Sequence, residues 1–222
     1  MTEAAANKTA STDGFSDLAI GVLALQGAFI EHVQMLQRLG ATAREVRLPS
    51  DLEGLDGLII PGGESTTIGK LLVHYELLEP LRRLVDSGFP IYGTCAGTIL
   101  LAKDIGGLDQ PLLATMDLVV ERNAFGRQLQ SFETDIKIAG LGDEPFRAIF
   151  IRAPAITSTG PGVDVLASLE NGTIVAARQN SLLVSCFHPE LTSDDRFHRA
   201  FLEQVRAYHA GAQPAAQTVP AT

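Results

Sequence analysis

Apolar, strand-like runs near residues 18–25, 42–48, 57–61 and 89–93 alternate with helical patterns near 29–39, 66–87 and 96–103. Parallel strands must be joined by a crossover, and a helix is the usual one. The alternation therefore predicts an α/β fold: a three-layer α/β/α sandwich, its sheet mostly parallel and covered by helices on both faces. From about 112 to 187 the pattern changes to short strands broken by glycine-rich turns, which reads as antiparallel hairpins added at one side. Asn171-Gly172 between residues 163–169 and 173–177 is the best hairpin signal, because both residues tolerate the positive φ of a tight turn. An amphipathic helix over 194–208 closes the pattern. Residues 1–16 and 210–222 are small, polar and without periodicity, so disordered tails are expected around one domain spanning 17–209.

The chemistry concentrates in Pro90-Ile-Tyr-Gly-Thr-Cys-Ala-Gly97, where a cysteine stands between two glycines after an apolar strand and before a helical run. That is the pattern of a nucleophile elbow with sulfur as the nucleophile. Cys95 is expected to stand exposed at a helix N-terminus, where unpaired N–H groups favour thiolate over thiol. A buried cysteine on a tight turn is the competing reading. A nucleophilic sulfur needs a base, and the apolar run from Ser181 to Phe187 ends in His188-Pro189-Glu190. Cys95 and His188 thus both lie just past the carboxyl ends of predicted strands, the edge at which open α/β sheets build their sites. Glu190 can reach back to the imidazole, fix its tautomer and stabilise the imidazolium. His32, His74, His198 and His209 lie in helical patterns with charged neighbours and are expected on the surface. Cys186 lies inside the apolar run and reads as a small buried hydrophobe.

Acyl transfer through sulfur develops an oxyanion that needs two fixed N–H donors. One would come from Ala96, the other from the Gly62-Gly63 turn, with Gly63 as the donor. Ser65 and Thr66 read as ordinary helix N-caps. Glu64 is open to two readings: a rim carboxylate accepting from a substrate α-ammonium, or an acidic residue placed at a helix start for structural reasons.

These stretches resemble the class I glutamine amidotransferases, and among them the glutaminase subunits of pyridoxal 5′-phosphate synthase. The matching segments are Gly21-Val-Leu-Ala-Leu-Gln-Gly-Ala28 with Glu31-His32, Pro61-Gly-Gly-Glu-Ser-Thr-Thr67, Gly93-Thr-Cys-Ala-Gly97, Glu121-Arg-Asn-Ala-Phe-Gly126, Phe150-Ile-Arg-Ala-Pro154 and His188-Pro-Glu190. The elbow and His-Pro-Glu indicate only the class; the Leu-Gln-Gly opening, the Gly-Gly-Glu-Ser-Thr-Thr loop and Phe-Ile-Arg-Ala-Pro narrow it. The resemblance implies a flavodoxin-like sheet and hydrolysis of L-glutamine to glutamate and ammonia, with Cys95, His188 and Glu190 as the triad. It also implies that Gly63, Glu64, Ser65, Arg122, Ile151 and Arg152 contact glutamine. For the two arginines this suits the chemistry, since a guanidinium anchors a carboxylate. It further implies an assembly with a synthase subunit in a 12:12 ratio.

Composition limits the alternatives. With 222 residues, 45% of them hydrophobic, one domain can bury a sizeable core, and a net charge of −9 argues against a nucleic-acid surface. Two cysteines make no disulfide framework, so a reducing compartment, the cytoplasm, is expected. The apolar run 18–25 is too short to span a bilayer and comes after Asp13 and Asp17, where a secretory signal would be positive. No metal and no cofactor are expected. Nothing else in the chain looks able to use ammonia, so the acceptor is expected on another chain, whose docking would reorient the Gly62-Gly63 peptide. A cysteine peptidase-like hydrolase and a non-catalytic binding module are the rivals; His-Pro-Glu and the Glu64 loop speak against the first, an intact triad against the second.

Overall fold

The computed structural model describes residues 14–122, 124 and 131–211. Of the expected tails at 1–16 and 210–222, residues 1–13 and 212–222 lie outside the described residues, as do Asn123, Phe125 and Gly126 of one matching segment. Phe15 does not behave as tail: it is buried beneath the guanidinium of Arg206, 4.7 Å from its ring.

The first half of the chain builds β1 (Ala19–Leu23), α1 (Phe29–Arg38), β2 (Thr42–Val46), β3 (Gly57–Ile60), α2 (Ser65–His74), α3 (Leu78–Asp86), β4 (Ile91–Thr94) and α4 (Ala96–Leu101). The second half adds β5 (Ala102–Asp104), β6 (Met116–Glu121), β7 (Ser131–Ile136), β8 (Phe146–Ile151), β9 (Ala155–Thr159), β10 (Asp164–Ser168), β11 (Ile174–Gln179), β12 (Leu182–Ser185) and α5 (Arg196–His209). The main sheet runs β2-β1-β3-β4-β12-β11-β9-β6-β5, with β10 beside β11. β2, β1, β3, β4 and β12 are mutually parallel, whereas β11, β9 and β6 pair antiparallel; β7 and β8 form a separate two-stranded sheet. The expected hairpin at Asn171-Gly172 joins β10 to β11.

Side-chain direction places the layers. Neighbouring residues on a strand point to opposite faces. Tyr92 stacks on Phe197 and meets Phe201 at a tilt, both of α5, while a Cβ on Gly93 would meet Leu101 of α4. α1 shares the α5 face through a contact between His32 and His198, and α2 packs with α4 on the other. The innermost strands β3, β4 and β12 are buried along their whole length, which is why they read as unbroken apolar runs.

Two expectations are corrected. The helical pattern over 66–87 is two helices, because α2 ends in a Schellman motif: Leu77 N–H bonds to Leu72 O (2.8 Å) and Glu76 N–H to Val73 O (3.1 Å), with Glu76 at φ 57°. Glutamate occupies the position where glycine is usual, so the stop leaves no mark in the sequence. The pattern over 96–103 ends at Leu101, and Ala102 begins β5, which pairs with β6.

Candidate active site

β4 and β12 are adjacent and in parallel register, Ser185 opposite Thr94, so their carboxyl ends lie level. Residues 95 and 188 are thereby brought to one edge although 93 positions separate them. Cys95 N–H donates to Ser185 O at 2.7 Å, tying the elbow to β12. Cys95 itself is strained, at φ 48° and ψ −100°, a conformation found where the surrounding structure enforces it. The enforcing contacts explain its glycines: a Cβ on Gly97 would collide with Ile60 O, and one on Gly93 would lie 2.7 Å from the backbone of Gly97. The expectation of an exposed Cys95 is corrected: the residue is 6% exposed and lines a cavity.

His188 is held by its N–H on Ile149 O (2.9 Å) and by its ring. Pro189 starts a short 3-10 turn that folds Glu190 back under the imidazole, and Nδ1 donates to Glu190 Oε1 at 2.7 Å. That leaves Nε2 for Cys95, which lines the same cavity and whose sulfur is among the groups that raise the basicity of the ring. Burial alone would lower the basicity of His188, yet the bonds to Cys95 and Glu190 and their negative charge prevail and lift its pKa to about 10. The second cysteine is different in kind: Cys186 is wholly buried as expected, and burial pushes its thiol well up.

The Gly62-Gly63 turn comes after β3. Gly62 lies so close to the pair that a Cβ there would collide with the His188 ring and stand 3.3 Å from Cβ of Cys95. Its carbonyl accepts from Ala28 N–H at 3.0 Å, and Gln26 Oε1 accepts from Glu64 N–H at 2.7 Å. Glu64, and not Ser65 or Thr66, caps α2, accepting from the N–H groups of Thr66 (3.1 Å) and Thr67 (2.7 Å). Partial burial works against its charge, but these bonds and that from the Thr67 hydroxyl lower its pKa to about 2. Arg122 donates to Glu64 Oε1 at 3.2 Å, so the carboxylate is occupied by a helix end and a guanidinium. Ser65 and Thr66 instead donate their hydroxyls to Gln110 Oε1.

A cavity of about 350 Å³ opens onto this edge, a size suited to a small polar molecule. Cys95, His188, Gly63, Glu64, Ser65, Arg122, Ile151 and Arg152 all line it, while Ala96 lies behind the sulfur as the first residue of α4. Arg152 is a second strained residue, at φ 44°. Gln26, Ala28, Ile99 and Leu191 also line the cavity and were not singled out from sequence. Gln26 had a usable signal, a polar residue just past the carboxyl end of β1. His74 and His209 are exposed as expected, but His32 and His198 are fully buried, contrary to expectation, because each supplies the other's hydrogen bond. Among the described residues no helix is long and apolar enough to cross a membrane.

Comparison with known proteins places this geometry. The chain is 59% identical over 188 residues to "Pyridoxal 5'-phosphate synthase subunit PdxT" of Herpetosiphon aurantiacus, covering 83% of this chain and 99% of that protein. It is 57% identical over 188 residues to the protein of the same name from Carboxydothermus hydrogenoformans, covering 85% and 98%. A crystal structure of a glutamine amidotransferase superposes with a TM-score of 0.80 at 52% identity, over 84% of this chain and 98% of that one. PurLQS from Thermotoga maritima, at 14% identity and a TM-score of 0.61, shares the fold over 83% of this chain and 97% of that one. The model of the SNO glutamine amidotransferase family matches residues 22–207, and the chain belongs to that family.

Proposed function

We propose that the chain is the glutaminase subunit of a pyridoxal 5′-phosphate synthase, hydrolysing L-glutamine and passing the ammonia to a synthase subunit. What carries this reading is the line from the sulfur of Cys95 through His188 to Glu190, opening on a cavity rimmed by Arg122 and Arg152. The sulfur attacks the side-chain amide carbon, and the oxyanion is held by the N–H groups of Ala96 and Gly63. His188, protonated at neutral pH, gives its proton to the nitrogen as the C–N bond breaks, and ammonia leaves. Acylation removes the negative charge of the sulfur, one of the causes that raise the His188 pKa. The neutral ring is then a competent base for the water that hydrolyses the thioester, and its proton and the returning thiolate restore the starting pair. Glu64, Ser65, Ile151 and the two arginines position glutamine, the arginines through its carboxylate.

The glutaminase unit spans 17–209, works in the cytoplasm and assembles with its synthase subunit in a 12:12 ratio. Two free thiols suit a reducing compartment. Docking of the synthase subunit turns the Gly62-Gly63 peptide, which must first give up the bond from Ala28 N–H to Gly62 O. The test is ammonia release from glutamine with and without the synthase subunit, for wild type and Cys95→Ala. Release that needs the partner and disappears in Cys95→Ala supports the proposal. Equal turnover by the isolated chain would refute the partner switch, and undiminished turnover by Cys95→Ala would refute the chemistry.

A further inference from the structure

Behind the triad, on the side away from the cavity, lies a chain of buried polar groups that the mechanism above does not use. His32 on α1 and His198 on α5 are both fully buried and bond to each other, Nδ1 of His32 to Nε2 of His198, at 2.8 Å. The other nitrogen of His32, Nε2, lies 3.1 Å from Thr94 Oγ1, one residue before the nucleophile. It also faces Glu190 Oε2 at 3.5 Å. Glu190 uses Oε1 for His188, and Oε2 is buried without a hydrogen-bond partner. Two imidazoles thus stand at the back of the carboxylate that orients the base.

The protons can be placed by exclusion. Burial, reinforced by the positive charges of His198 and His188 when protonated, pushes the pKa of His32 well down. Burial likewise takes His198 to about 3, so both rings are neutral. A neutral imidazole carries one N–H. With the proton on Nδ1, His32 would turn the bare lone pair of Nε2 toward a carboxylate oxygen that has no other partner. With the proton on Nε2, an N–H points to Thr94 and Glu190, and Nδ1 accepts from Nε2–H of His198. Only the second arrangement is attractive at the carboxylate.

We propose that His32, in its Nε2–H tautomer and steadied by His198, is a positioning residue for glutamine hydrolysis: it holds the Glu190 carboxylate from behind so that Oε1 stays on His188 and His188 stays on the sulfur. A carboxylate anchored through one oxygen can rotate; a donor facing the second oxygen stops that rotation. The anchoring spans the fold, since α1, α5, the end of β4 and the turn after β12 are pinned to one another by these side chains.

The inference rests on the glutaminase reading, and two independent readouts keep the failures apart. The first does not depend on activity: ¹⁵N NMR of the histidine rings in the wild-type chain reports the tautomer of His32, with Nε2–H expected and Nδ1–H overturning the proposal. The second uses the complex with the synthase subunit. His32→Leu, which keeps bulk and loses the donor, should lower kcat about tenfold with KM within twofold. His32→Gln, whose side-chain N–H₂ can occupy the place of Nε2–H, should recover most of the loss while melting no higher than His32→Leu. A wild-type kcat in His32→Leu, or a His32→Gln as slow as His32→Leu, would overturn the proposal. Cys95→Ala, run alongside, tests the glutaminase reading alone.

Discussion

The parallel and antiparallel parts of the sheet contribute to the site in different ways. In the parallel part, β1, β3, β4 and β12 run in step, so their carboxyl ends finish at one level and short side chains from distant segments meet. Cys95, His188 and the Gly62-Gly63 turn all lie there, so close together that a Cβ on Gly62 would collide with the His188 ring. In the antiparallel part only alternate strand ends reach that edge. β6 of that part ends at Glu121, β8 of the separate antiparallel pair ends at Ile151, and the next residue in each case, Arg122 or Arg152, lines the cavity. Proton transfer needs positions fixed to a fraction of an ångström, which shared register supplies; binding a carboxylate needs reach, which a long guanidinium supplies. The division extends to titration, for all five histidines of the chain belong to the parallel part and the helices on it.

Variants should separate the two parts. The largest effect is expected at Gly62→Ala, where the new Cβ displaces the His188 ring: kcat should fall about a hundredfold in steady-state assays of the complex, far more than KM changes. Arg152→Ala, just past the antiparallel strand β8, should raise KM about tenfold and leave kcat near wild type, since in the proposed function it removes a charge-assisted bond to substrate and no proton carrier. An equal fall in kcat for Arg152→Ala would break the division. The smallest effect concerns acid. His32 and His198 have pKa values below the ordinary 6.5, so the unfolded chain binds more protons and stability falls as pH drops below 6.5. Lowering pH from 6.5 to 5.5 should cost about 1 kcal/mol per buried histidine, read from denaturant midpoints. His188 acts in another window: its proton is bound in both states below 6.5, and its stabilising contribution fades only as pH rises toward about 10. Amide protection, taken relative to the slower intrinsic exchange in acid, should therefore fall at pH 5.5 in β1, β4 and α1 before β6 and β8.

Legibility in the sequence divides along the same line. Parallel strands buried on both faces cannot alternate, so β3, β4 and β12 show as apolar runs, and Cys95, His188 and Glu190 can be read from their ends. The pairing of β4 with β12 is not legible, because only register brings residues 95 and 188 together. His32 and His198 mislead because helical period and charged neighbours describe the rest of a helix face, whereas burying an imidazole depends on a partner 166 residues away. Glu64 hides its capping role behind Ser65 and Thr66, which have the commoner capping side chains. The stop of α2 is hidden because Glu76 takes a left-handed turn without glycine.

One sulfur, at position 95, is made reactive by its place beside His188, while that of Cys186, just past the end of β12, is made inert by burial. Treatment with a glutamine-mimicking electrophile, with peptide mass spectrometry as the readout, measures this directly. Labelling is expected at Cys95, suppressed by glutamine, with Cys186 untouched. Labelling at Cys186, or labelling of Cys95 that glutamine does not slow, would contradict it.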